Sequence, residues 1–377
     1  MKLSASFLFL FFLMVACHSL PVKTDSASTP PAFTAVPILN VSMQNLKNSL
    51  ETLEPYIFDK KRFNDPKNKS FLSTEIHKLA IETTEVKHSP AILSKDPTVR
   101  FVAVQFADEL QRADENFSTG WHEYSRSQLV NVTSYCIECH TRLKDGPEFN
   151  SKRSSDSYMK KLAVQDRIEL MIAFRQYDPA FNLVLETLKS IHPLSSVEID
   201  AEQIARLGLL IAVQYKQDMT NAMRLSVSVE RNKALPVFLQ EKSREWKASI
   251  AQWKPNENLQ TLPAIKKIIH QRKSEIEDMR AIAALLQYLT ADLSDNELGE
   301  ALLLAGESYE SLNKISLVTL HENYYESCIY RVPQTKWGKA CFNKLNESVT
   351  FGYTGSGGTH IPLEIQKRMR DLKRLTE

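Results

Sequence analysis

From about residue 42 to the C-terminus, apolar side chains recur at three- and four-residue intervals, the period of amphipathic helices. Met43, Leu46, Leu50 and Leu53 form one stripe over Ser42 to Phe58, and Ile76, Leu79, Ala80 and Val86 form another over Phe71 to Lys87. A third pattern follows the start signal Asp96-Pro97 with Phe101, Val102, Val104, Phe106 and Leu110; a fourth begins after Ser118-Thr119-Gly120 and runs through His140. Four such helices joined by short connections predict a four-helix bundle over residues 38–150. After the polar stretch Asn150 to Ser157, paired patterns fill residues 158–377. They run over Val164 to Gln176 and Ala180 to Ile191 about a Tyr177-Asp178-Pro179 turn, then Ala201 to Lys216, Thr220 to Glu230 and Leu235 to Trp253. Ser274 to Thr290 pairs with Asp295 to Leu312, Val318 to Arg331 with Lys336 to Val349, and Leu363 to Leu375 closes the chain with a basic face. The expected fold class is all-α, a bundle followed by an array of helical hairpins.

The first residues break this pattern. Met1-Lys2 and an apolar stretch from Phe7 to Ala16 make an export signal over residues 1–16, too short for a permanent membrane span. Leu13-Met14-Val15-Ala16-Cys17 resembles a bacterial lipobox, which implies that Cys17 is lipidated and becomes the mature N-terminus. His18 rather than Asp after that cysteine implies, by resemblance to known sorting, the outer membrane rather than the inner. Residues 17–37 are rich in Ser, Thr and Pro and read as a flexible tether. The expected location is the periplasm, with the membrane reached through the lipid anchor.

Composition then narrows the function. Ten Gly in 377 residues argue against turn-rich β architectures and Gly-rich phosphate-binding folds. Lys plus Arg number 47 against 45 Asp plus Glu, so no global field steers nucleic acid, and any electrostatic partner must meet a local patch.

Chemistry concentrates in Cys136-Ile137-Glu138-Cys139-His140. Thiols three apart on a helix share a face and can both add to the haem vinyl groups, while the imidazole of His140 projects at the iron. Haem c is therefore the expected cofactor. A redox disulfide would need a βαβ surround and a zinc site a second ligand pair. The remaining cysteines, Cys328 and Cys341, stand symmetrically about Val332-Pro333-Gln334-Thr335; a turn there between antiparallel helices brings the thiols opposite one another, and an oxidising compartment makes them a disulfide.

A bundle of about this size with the attachment motif on its last helix resembles the cytochrome c prime family and its low-spin relatives. Leu143-Lys144 stands where members often carry an aromatic and a basic residue. The resemblance implies thioethers at Cys136 and Cys139, His140 as fifth iron ligand, and a first-helix residue on the sixth side of the iron. Met43 is that candidate, as sixth ligand or distal residue, with Leu46 or Leu50 in its place otherwise. A thioether ligand keeps iron low-spin and favours electron transfer. His77 and His88 are rival ligands.

In the second half, Leu302, Ala305-Gly306 and Tyr309 resemble the first helix of a tetratricopeptide repeat, and Arg175 to Ala180 resembles the turn within a repeat, without a clean period. Stacked hairpins of this kind imply a protein-docking surface. Gly352 to His360 reads as a loop, and His321, Glu322 and Glu326 as surface positions. The expectation is a lipid-anchored, non-enzymatic haem protein passing single electrons to a redox protein partner, with no nucleic acid, and with a homodimer through the bundle helices among its assemblies. The alternatives are a five-coordinate haem protein that binds nitric oxide or carbon monoxide, and an interaction scaffold with structural haem.

Overall fold

The computed structural model describes residues 36–89, 97–140, 159–192, 199–254, 257–312 and 320–377. Ala35–Glu377 is one compact unit. The described residues form sixteen α-helices and one small β-hairpin, an all-α fold.

The first group is α1 (Val36–Ile57), the short α2 (Lys60–Phe63), α3 (Lys69–Lys87), α4 (Pro97–Ser118) and α5 (His122–His140). The carboxylate of Asp59 starts α2 by accepting from the amides of Lys61 and Arg62, each at 3.1 Å. Asp65 does the same at Lys67, 3.0 Å away, to start a single 3-10 turn before α3. Gly120, at φ +93°, supplies the left-handed residue that ends α4. Cross-links fix the helices as antiparallel neighbours: His77 pairs with Asp114 at 2.7 Å, Lys87 with Asp108 at 2.8 Å, and Ser125 donates to the Ala113 carbonyl at 2.7 Å. Leu53, Leu72, Ile76, Leu110 and Leu129 meet in their shared core, all buried.

The second group continues with α6 (Val164–Ala173), α7 (Tyr177–Ser190), α8 (Ala201–Leu209), α9 (Met219–Arg231), α10 (Val237–Ile250) and α11 (Leu262–His270). It ends with α12 (Glu275–Tyr288), α13 (Asp295–Ser311), α14 (His321–Arg331), α15 (Lys336–Gly352) and α16 (Leu363–Thr376). Its boundaries differ from the sequence pattern in four places. The α6–α7 turn falls at Phe174–Gln176, with Arg175 at φ 57°, so Asp178 and Pro179 lie in the first turn of α7, where a proline costs no hydrogen bond. The helix expected to run on to Lys216 finishes as a π-helical segment, Leu210–Tyr215. Leu262–His270, unassigned by periodicity, is a short helix with Pro263 in its first turn. The Gly-rich stretch is a hairpin, Thr354–Gly355 against Gly358–Thr359, with Gly358 at φ +101°.

One continuous apolar core runs through the second group, from Ile168 to Leu372. Gly306 lies flat against the ring of Tyr325, which a Cβ at that position would strike. Cys328 of α14 and Cys341 of α15 are joined by a disulfide, S–S 2.14 Å and Cα–Cα 6.2 Å, across the turn at Val332–Thr335. His321 and Glu326, expected at the surface, are buried instead. The reason is α16, whose Arg368 donates to Glu326 at 3.1 Å, and α15, whose Ser348 lies 2.8 Å from His321 Nε2 and donates to Glu322 at 2.7 Å. Deeper still, Asp278 accepts from Ser311 at 2.8 Å and pairs with Arg272 at 2.6 Å. Burial pushes its carboxyl up to about 6, against the opposing pull of Arg272.

The two groups abut. Val102 of α4 belongs to the core of the second group, and Phe58 and Tyr135 pack against both cores.

Candidate functional site

The fifth helix builds the candidate site through its register. Its inward stripe runs Ser125, Leu129, Val132, all buried, and helical periodicity carries that stripe on to positions 136 and 139. The backbone is helical through His140, so positions 136, 139 and 140 stand at i, i+3 and i+4 in the last turns of α5. The side chains of Cys136, Cys139 and His140 lie outside the described residues, as do Cys17, Leu143 and Lys144.

The surroundings of that helix end are described. Because the helices alternate in direction, the C-terminal end of α5 stands level with the start of α4, the end of α3 and the start of α1. Met43, half-buried, packs there with Val86 of α3 and with Val99 and Ala103 of α4, and also touches the main core of the group. Leu46 is buried one turn along α1 and Leu50 is half-buried one turn further. Tyr135, immediately before the motif, sets its ring 6.2 Å from Phe106. Burial raises the Tyr135 hydroxyl above its ordinary range, Glu109 adds to that, and Arg112 opposes it.

Polar contacts hold the opposite end closed. Arg126 of α5 donates to the Ile57 carbonyl at the end of α1 at 3.0 Å, and Lys60 pairs with Glu123 at 3.2 Å. Between α4 and α5, Gln128 donates to Glu109 at 3.1 Å and accepts from Asn116 at 2.9 Å. One turn before Glu109, the side-chain oxygen of Gln105 is buried without a hydrogen-bond partner, about a turn short of the level of position 136. Of the rival ligands, His77 stands away from this end, whereas His88 lies at it, two residues past Val86. His77 is exposed and bonded to Asp114, and His88 caps the exposed end of α3.

A donor set of two thiols and an imidazole, on one helical stripe beside an apolar cluster with a thioether in it, fits covalent haem attachment. Periodicity along α4 alone could not have found that Glu109 meets α5 through Gln128, because that contact crosses the α4–α5 seam. Comparison with protein-family models, with curated proteins and with solved structures yields no match to this chain.

Proposed function

We propose that the protein is an exported c-type cytochrome that carries single electrons. In this reading Cys136 and Cys139 hold one haem by thioether bonds and His140 is the fifth iron ligand. The haem, when bound, supplies a one-electron ferric/ferrous couple whose potential depends on the axial ligands and on burial. The chain's own residues would hold it at the end of α5, with Met43 as the candidate sixth ligand or distal residue. Val86, Val99, Ala103 and Leu46 keep water from the Met43 side. The first group is then a four-helix bundle of cytochrome c prime type, and the second a partly tetratricopeptide-like array that docks a redox protein. Residues 1–16 direct export, and Cys17 carries the lipid anchor that holds the chain in the periplasm.

The observation that carries the reading is the helical register of positions 136, 139 and 140 at the same end of the group as the half-buried Met43. Spectra of the purified, reduced protein test it. A Met43 thioether ligand gives a six-coordinate low-spin form that does not take up carbon monoxide readily, and Met43→Ala converts it to one that does. A high-spin reduced form that binds carbon monoxide equally well before and after Met43→Ala makes the protein a gas binder instead, with Met43 merely packing.

A further inference from the structure

The end of the first group farthest from position 136 carries an aromatic and basic pole. Over ten residues Lys60, Lys61, Arg62, Lys67 and Lys69 are all exposed. The acids among them are engaged: Asp59 and Asp65 cap backbone amides, and Glu123 already takes Lys60 at 3.2 Å and Asn64. Glu115 and Glu123 are the exposed carboxylates beside them among the described residues. At the same end of the group, Trp121 is 68% exposed, Tyr124 61% and Phe71 38%. Contacts order part of this end. Phe71 lies 5.1 Å from Tyr56, the Arg62 guanidinium sits 4.7 Å over the Tyr56 ring, and Phe63 packs edge-on against Phe117 at 5.6 Å, at the turn that presents Trp121.

We propose that this pole docks on an anionic lipid bilayer. Trp and Tyr favour the headgroup layer because one part of each ring system is apolar and one edge is wet. Each Lys or Arg held near a negatively charged surface adds attraction that salt screens. Docked this way, the first group stands with α1, α3, α4 and α5 rising from the surface and the end bearing position 136 pointing away from it, free to meet a soluble partner. The inference does not depend on haem or on Cys17.

Vesicle co-sedimentation of the compact unit that begins at Ala35, which lacks any acyl anchor, provides the test. The lipids are pure phosphatidylcholine and phosphatidylcholine with roughly 30% phosphatidylglycerol. The expected result is at least about tenfold stronger partitioning to the anionic vesicles, abolished near molar salt, with a blue shift of tryptophan emission. Lys61→Glu with Arg62→Glu and Lys67→Glu, all exposed and therefore compatible with folding, removes the preference. Trp121→Ala weakens binding severalfold and removes most of the emission shift. Equal binding to both vesicle types, or a preference that survives the charge reversal, overturns the proposal. So does capture of soluble polyglutamate in preference to the vesicles, which would make the pole a site for acidic proteins. Covalent haem is scored separately on denatured protein, so its absence would sink the cytochrome reading and leave the lipid result untouched.

Discussion

The two helical groups bury their side chains by different means. In the second group one apolar core is continuous, and five of its helices start at side-chain caps. Ser274 and Ser294 form capping boxes with Glu277 and Glu297, and Asp200, Asp218 and Thr335 cap three further helices. A disulfide and buried ion pairs complete it. The first group has a smaller core, and polar residues interrupt it: Ser42, Ser49, Glu82 and Thr83 are buried on the inner faces of α1 and α3. Ser49 Oγ and Glu82 Oε2 have no hydrogen-bond partner, and the second group likewise leaves Ser308 Oγ and Asn323 Nδ2 unpartnered. Buried polar groups left unpaired cost on the order of 1–3 kcal/mol each. The second group thus combines one large core with a disulfide, whereas the first has the smaller core, to which a haem held at the end of α5, as proposed, would add.

The largest expected effect breaks that contrast at its source. Cys136→Ala with Cys139→Ala removes covalent haem entirely, and amide hydrogen exchange then rises across residues 36–140 while residues 159–377 keep their protection. Equal loosening of both groups would show that the contrast is wrong.

Next is the disulfide. Cys328 and Cys341 close a loop with a sequence separation of 13, for which chain-entropy arguments give about 3 kcal/mol. Cys328→Ser with Cys341→Ser therefore lowers the denaturant midpoint of the array, and reductant reproduces the shift in the unmodified chain.

Asp278 gives a pH-dependent effect of up to ~3 kcal/mol. Its folded pKa, about 6, lies above its ordinary 3.8, so the folded chain holds the extra proton between those values. Stability thus falls as pH rises from about 4 to 6 and is level above that. Asp278→Asn keeps the hydrogen bond to Ser311 and flattens this slope, as urea unfolding at a series of pH values would reveal.

Smaller again is Gly306→Ala, whose methyl group must displace the buried ring of Tyr325 at a cost of about 1–3 kcal/mol, read from thermal unfolding of the array. The same change at the exposed Gly355, where a methyl meets nothing, should cost less.

What could be read in advance follows the range of the interactions involved. The stripes through Leu46 and Leu53, and through Ile76 and Leu79, are local in sequence, so helix positions emerged from periodicity, with α1 beginning six residues earlier than its apolar stripe suggested. The Ala305-Gly306 pair marked a close helix contact before its partner, Tyr325, was known. By contrast, Leu262–His270 is too short for its period to stand out, and the burial of His321 and Glu326 depends on α15 and α16, which arrive later in the chain. The glycines at 355 and 358 make sense only once Thr354 and Thr359 pair. At the candidate site, the motif at positions 136–140 was legible because its spacing is itself the chemistry. The placing of Met43 beside Val86 and Ala103 required the antiparallel packing of three helices.

The central claim is that Cys136 and Cys139 carry covalent haem. Mass spectrometry of the denatured chain, produced in a host that attaches haem c and paired with its absorption spectrum, tests it most directly. The account predicts one haem per chain, retained through denaturation and lost in Cys136→Ala with Cys139→Ala. A colourless chain of unmodified mass, with Cys136 and Cys139 as free thiols or as a disulfide, would contradict it.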